Sequence, residues 1–229
     1  MRIVVTAGPT REHLDPVRFL SNPSTGKMGF AIAAEAARRG HEVVLVAGPV
    51  ALKTPKGVER VDVTSAREML AAALAAVGDN KRTTAREDNK RTTAREAVLI
   101  ATAAVADWRP AKCAAKKLKK GEMSGTLKLV RNPDILKTIN RTIEQSNNRT
   151  IRLVGFAAET DHVLAEAARK CREKGLSFIV ANDVTQKDCG FGTDTNRVTF
   201  VFPDGTQRTL PLMTKRMVAK RILDEVSRL

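Results

Sequence analysis

The sequence predicts an α/β fold: a Rossmann-like parallel sheet flanked by helices, with an additional antiparallel hairpin near residues 197–212. Three observations point there. Short β-rich apolar runs recur along the 229 residues. Segments with helical spacing separate most of them, the alternation that produces a parallel sheet with right-handed crossovers. One of the runs, EVVLVAG at 42–48, is a continuous apolar stretch of the kind found in strands covered on both faces.

In order, residues 2–6 (RIVVT) read as the first strand, followed by a long polar loop. Residues 28–39 (MGFAIAAEAARR) have helical spacing and stop at Gly40. Strands are expected at 42–48 (EVVLVAG) and 58–63 (VERVDV). Ser65, with Glu68 three residues on, reads as the N-cap of a helix through Val77. Further strands are expected at 97–102 (AVLIAT), 152–159 (RLVGFAAE) and 176–183 (LSFIVAND), with a helix over 161–175 closed by Gly175. Pro203-Asp204-Gly205 joins 197–202 to 206–212 as a hairpin, either an antiparallel edge or an arm for a partner subunit. A last helix is expected from about Thr214 to Ser227. The whole is read as one domain, 1–229.

One feature interrupts the pattern. DNKRTTARE at 79–87 is repeated without change at 88–96. It is polar throughout and sits where a helix–strand connection of two to six residues is usual. It reads as a surface excursion or a helix extension without chemistry, the alternative being a basic docking patch.

Composition narrows the function. Hydrophobic residues are 42% of the chain, enough for a sizeable core. No apolar run approaches the ~18 residues of a membrane span, and the opening segment reads as a strand rather than a signal peptide; the expected location is the cytoplasm. Cys113, Cys171 and Cys189 are widely spaced, and the histidines (His13, His41, His162) form no zinc motif, so a disulfide framework or a structural zinc site is not expected. A net charge of +15 demands anionic partners. Aromatics at 3%, with no Tyr, argue against bases stacked on an aromatic platform, and so against nucleic acid.

Ligands of an open parallel sheet bind beyond the carboxyl ends of its strands. That rule selects four loops: 7–29, 103–125, 157–161 and 182–196. The first carries SNPSTGKMG (21–29) ahead of a helix, small residues suited to an anion site of backbone N–H groups. It is neither G-x-G-x-x-G nor a P-loop. The second runs from Ala103 through Asp107 to five lysines: Lys112, Lys116, Lys117, Lys119 and Lys120. The third leads into a helix with Lys170 and Lys174 on one face. The fourth is small and polar, in keeping with a site loop or an ordinary turn.

The string GPTREHLDPVRFLSNPSTGKMG resembles the signature of phosphopantothenoylcysteine synthetases. ATAAVADWRP, the KKLKK cluster, RNPDI, GFAAET, ANDV and GFGTDTN follow in that family's order. The resemblance spans nearly the whole chain and is nearest the bacterial type, often the C-terminal half of a bifunctional protein whose other half is a flavin-dependent decarboxylase. The duplicated DNKRTTARE stands outside the family pattern.

The resemblance implies a homodimeric ligase that uses CTP with Mg2+ and carries no flavin. The 4'-phosphopantothenate carboxylate attacks the α-phosphate to give an acyl-cytidylate and pyrophosphate, and the amine of cysteine then displaces CMP. By motif match, Asn22 and Arg18 contact the pantothenate intermediate, and Gly8, Ser24, Gly26 and Gly29 line the phosphate loop. Ala101, Thr102, Ala103, Asp107, Phe156, Lys170, Lys174 and the segment Pro133, Asp134, Ile135 and Leu136 contact the nucleotide. Lys117 is the reactive-loop lysine. The residues expected to carry the chemistry are Asn22 and Lys117; no metal-holding residue is assigned. The rival readings are a nicotinamide-dependent oxidoreductase, disfavoured by the missing G-x-G-x-x-G, and a basic nucleic-acid-binding module of the same fold.

Overall fold

In the computed structural model, the described residues are 1–79, 81–84, 91–94, 96–122, 125–146, 150–186 and 188–229. Eight strands form the main sheet. They are β1 (Arg2–Ala7), β2 (Glu42–Ala47), β3 (Val58–Asp62), β4 (Ala97–Ala101), β5 (Ile151–Glu159), β6 (Phe178–Asp183), β7 (Val198–Val201) and β8 (Gln207–Thr209). Five helices accompany them: α1 (Lys27–Arg38), α2 (Ala66–Gly78), α3 (Ile135–Ser146), α4 (Val163–Glu173) and α5 (Lys215–Val226).

The sheet order is β8-β7-β6-β5-β4-β1-β2-β3. β1 to β6 are mutually parallel, with Val4 opposite both Val44 and Leu99. The order 3-2-1-4-5-6 is that of a dinucleotide-binding sheet, and it reverses direction between β1 and β4. β7 and β8 extend it as antiparallel strands, with Thr199 opposite Thr209. The hairpin at 197–212 is thus an edge of the sheet. Gly205, at φ 89°, supplies the left-handed residue its short turn requires.

Side-chain alternation divides the core into two layers. Ile3, Val5, Val43, Leu45, Val98, Ile100, Phe178 and Phe200 meet α1 and α5 on one face. Val4, Val44, Val46, Leu99, Leu153 and Ile179 meet α2, α3 and α4 on the other. The start of α2 is as expected: Ser65 Oγ accepts the Glu68 amide at 3.2 Å. The Glu68 carboxylate reaches back to the amide of Thr64, one residue before the cap.

Three features depart from the expectation. The helix α3 was not anticipated, because its exposed residues (Lys137, Arg141, Thr142, Glu144, Gln145) dilute a stripe of Ile135, Leu136, Ile139 and Ile143. Small antiparallel pairs sit inside two of the loops: Arg11–His13 with Phe19–Ser21, and Trp108–Pro110 with Leu129–Arg131. The duplicated segment does not extend α2, which ends at Gly78. Instead Lys81–Thr84, from one copy, pairs antiparallel with Arg91–Ala94, from the other. Each copy brings two adjacent threonines, which favour a strand over a helix. Residues 80, 85–90 and 95 lie outside the described residues. Among those described, no helix is long and apolar enough to cross a membrane.

The ends of β1 and β2 approach each other at backbone contact. A Cβ on Gly48 would lie 1.8 Å from the carbonyl oxygen of Pro9, with no side chain to give way. Gly48→Ala is therefore expected to lower stability by about 1–3 kcal/mol or more through overpacking, read as a lower urea midpoint. An unchanged midpoint contradicts this account of the β1–β2 approach.

Candidate active site

The crevice at the switch point is a cleft of about 680 Å³, within the range of sites that hold a small molecule. Its floor is the end of β1 and the residues after β4. Thr102 Oγ1 donates to Thr6 O at 2.6 Å and Ala104 N to Gly8 O at 2.9 Å, so the two strands stay joined beyond their regular ends. From this floor Ala101 through Asp107 line one side of the cleft.

The N-terminus of α1 forms a second wall. Gly26, at φ 77°, turns the chain into the helix, and no side chain caps it. The first amides of the helix have no intrahelical acceptor, which leaves them to an anion. Gly29 sets how closely the helix can approach. A Cβ there would stand 2.5 Å from both Ala7 Cβ and Thr102 Oγ1. Gly8, at φ 79°, lies directly beneath Gly26, its Cα 3.5 Å from where a Gly26 Cβ would be.

Opposite, Pro133-Asp134 opens α3 and Phe156 projects from β5. The Asp134 carboxylate accepts the Lys137 amide at 3.0 Å, in the manner of an N-cap, and pairs with Lys174 at 2.8 Å. Burial works to raise the Asp134 carboxyl, but Lys174 and the Lys137 amide outweigh it and hold it below its ordinary value. Lys170 pairs with Glu159 at 2.5 Å. Two lysines, Lys170 in the last turn of α4 and Lys174 at its C-cap, therefore stand at the cleft, each held by one carboxylate.

Most of the residues singled out from the sequence meet here: Asn22, Ser24, Gly26, Gly29, Ala101, Thr102, Ala103, Asp107, Pro133–Leu136, Phe156, Lys170 and Lys174 all line the cleft. Asn22 bridges two walls, its Nδ2 donating to Ala104 O at 2.9 Å. Gly8, Arg18 and Lys117 do not line it. Gly8 supports the loop from below. Arg18 turns to Asp15, whose side chain is fully buried, at 2.5 Å. The same guanidinium donates to Leu118 O at 2.8 Å, while Asp15 Oδ2 accepts the Leu118 amide at 3.2 Å. A third bond, Ala114 N to Leu14 O at 2.8 Å, completes a clasp between the 14–18 turn and the exposed lysine loop. Lys117 is thus tethered at its neighbour.

The structure adds residues the sequence reading did not assign. Lys27 heads α1 and Lys215 heads α5, and both line the cleft. Lys215 is buried and donates to Gly190 O at 3.0 Å and Thr193 O at 2.7 Å. Burial, then the proximity of Lys27, lowers its pKa. Asn182, at the end of β6, is 8% exposed and its Oδ1 has no hydrogen-bond partner. The motif GKMG pointed to Lys27 and ANDV to Asn182; nothing in the sequence singled out Lys215.

A family model for the DNA/pantothenate metabolism flavoprotein C-terminal domain matches residues 1–229. The chain belongs to this family. Among its relatives, the coenzyme A biosynthesis bifunctional protein CoaBC of Escherichia coli (strain K12) is 44% identical over 229 residues, 99% of this chain and 51% of that protein. CoaBC of Bacillus subtilis (strain 168) is 43% identical over 228 residues, again 99% of this chain and 51% of the relative. The chain spans about half the length of the relatives it matches. The crystal structure of a CoaBC C-terminal domain superposes with a TM-score of 0.76 at 40% identity, covering 98% of this chain and 93% of that one.

The Asp15 clasp has a direct test. The guanidinium of Arg18 holds the Asp15 carboxyl far below the ordinary carboxylate value of about 3.9. Its contribution is therefore complete above that pH and lost only as the solution becomes strongly acidic. Asp15→Asn should speed amide exchange at Ala114 and Leu118 at neutral pH while leaving β1 and β4 protected. Unchanged exchange at Leu118 contradicts the clasp.

Proposed function

We propose that residues 1–229 form one phosphopantothenoylcysteine synthetase domain, joining 4'-phosphopantothenate to L-cysteine in coenzyme A biosynthesis. The observation that carries this reading is convergence. Motifs scattered from residue 22 to 174 meet in one anion-ready cleft, in a chain that matches one half of the CoaBC proteins over its whole length. We assign the decarboxylase and its flavin to the portion those relatives have beyond this match, and place the protein in the cytoplasm.

CTP is the proposed co-substrate. The substrate carboxylate oxygen bonds to the α-phosphorus as the bond to pyrophosphate breaks. The cysteine nitrogen then bonds to the acyl carbon as CMP leaves and the amine sheds a proton. No protein nucleophile is needed. What the site must supply is compensation for anions brought together, by fixed donors and cations. The α1 amides and the two helix-borne lysines meet that need. Asn22, with one amide hydrogen on Ala104 O, has a second for the acyl intermediate. Lys117 enters by movement of its loop about the anchor at Leu118, and Arg18 serves that anchor.

Among the described residues, no three carboxylate, histidine or cysteine side chains gather as a metal site. The exposed Asp107 at the cleft fits a Mg2+ that arrives on nucleotide phosphates and takes a single protein carboxylate. That ion would neutralise phosphate charge. Exposed Val17, Phe19, Trp108, Leu127 and Leu129, on or beside the two small hairpins, offer an apolar face that supports a homodimer.

The test is single-turnover pyrophosphate release with 4'-phosphopantothenate and CTP or ATP, with and without cysteine. CTP is expected to be far more efficient than ATP, because a site with polar groups fitted to one base leaves them unpaired with another. Asn22→Asp should depress amide formation more than activation. Lys117→Gln should slow activation by roughly 100- to 1,000-fold, the usual effect of removing one such stabiliser. No pyrophosphate from either nucleotide overturns the ligase reading, and near wild-type turnover by both variants removes these residues from the mechanism.

A further inference from the structure

Lys27 is the first residue of α1, at the uncapped helix end in the cleft, yet its ammonium group is turned aside. It donates to Gly192 O at 2.8 Å and to Asp194 Oδ1 at 2.7 Å. The Asp194 side chain is 86% exposed, and it is held below its ordinary pKa first by the hydrogen bond from Lys27 and then by that cation's charge. An ion pair so open to water is weak. Lys215 stands close enough for its charge and that of Lys27 to oppose each other, and it has already committed its Nζ to two carbonyls of the same loop. Two helices packed side by side thus direct two lysines and two N-termini at one loop, residues 190–194. Asn182, whose buried Oδ1 has no hydrogen-bond partner, lines the same cleft.

Each element has a physical consequence. A lysine at a helix N-terminus adds positive charge to the positive end of the helix dipole, which is unfavourable for the helix itself. The Lys27 side chain is 35% exposed, so packing can account for the partly buried stem but not for a positive charge at this end of the helix. The arrangement becomes favourable once an anion sits at the α1 amides. Until then Asp194, at the surface, neutralises the charge.

We propose that Lys27 is a binding residue for the terminal phosphates of the nucleotide, and thereby for departing pyrophosphate, and that Asp194 is its displaceable stand-in for the phosphate. When a polyphosphate reaches the α1 N-terminus, Lys27 exchanges the exposed carboxylate for a more highly charged acceptor. The substrate class is nucleoside triphosphate or inorganic pyrophosphate; no bond is made or broken. This rests on the nucleotide-using reading of the cleft, and it separates Lys27 from Lys117, which acts at the acyl and α-phosphate groups.

The sign of one effect distinguishes the proposal from a structural role. Removing the competing carboxylate by Asp194→Asn should tighten binding of inorganic pyrophosphate and of CTP, each titrated calorimetrically, by about two- to fivefold, the strength of an exposed pair. The backbone acceptor that Asp194 offers the Lys215 amide survives in Asn. Lys27→Met should weaken both ligands by roughly ten- to hundredfold, as loss of a charge-assisted hydrogen bond does. In the double variant, Asp194→Asn should bring no gain. Thermal unfolding of each variant checks the fold. Weaker or unchanged binding by a folded Asp194→Asn protein overturns the proposal, as does a gain that persists without Lys27. Pyrophosphate binding tests Lys27 and Asp194 even for a chain that fails to turn over CTP, whereas absence of ligase activity alone bears on the reaction.

Discussion

The cleft depends on one close approach: helix α1 begins in contact with the ends of β1 and β4. Only a residue without a side chain fits at Gly29, where a Cβ would press on Ala7 and Thr102 at 2.5 Å. The left-handed Gly8 and Gly26 let the two preceding loops stack closely enough to deliver the helix there. The amides of the first turn then lie at the point where the sheet changes direction, the one place where neighbouring loops diverge and leave room for a ligand. Without that approach the same residues would make a helix packed on a sheet, and the anion site would be gone.

Charge is organised around that point in two ways. Lys215 is held by two backbone carbonyls, and the other lysines at the cleft are paired one to one: Lys27 with Asp194, Lys170 with Glu159 and Lys174 with Asp134. Each is fixed in place yet exchangeable, because its partner is at least partly open to water. The lysines of the cluster at residues 112–120 are exposed, and the loop that carries them is anchored on a buried carboxylate at Asp15.

The central strands were legible because burial on both faces writes them as continuous apolar runs, the edge strands by their β-rich residues and turn, and β1 to β8 fall within a few residues of the expected positions. The helix α3 was hidden: its polar residues outnumber its apolar ones, and the stripe emerges only when Ile135, Leu136, Ile139 and Ile143 are placed on one face. The small hairpins were hidden too, since two or three strand residues carry no period. At the cleft, backbone-type contacts were legible as small residues at strand ends. Long-range side-chain choices were not: Arg18 takes Asp15 and Leu118 O, a hundred residues away, and Lys215 comes to the site by way of α5. Identical repeats gave no reason to expect a hairpin, which emerges only in the register that pairs Thr83 with Thr92.

The close approach at Gly29 can be tested alone. Calorimetric titration of Gly29→Ala with CTP and with inorganic pyrophosphate, beside its far-ultraviolet dichroism and urea unfolding, reads the helix position through its anion site. The account predicts a folded protein, destabilised by about 1–3 kcal/mol through overpacking, that binds both ligands at least tenfold more weakly than wild type. Wild-type affinity for both ligands in a folded Gly29→Ala protein would contradict it, because the anion site would then not depend on how closely α1 meets the strands.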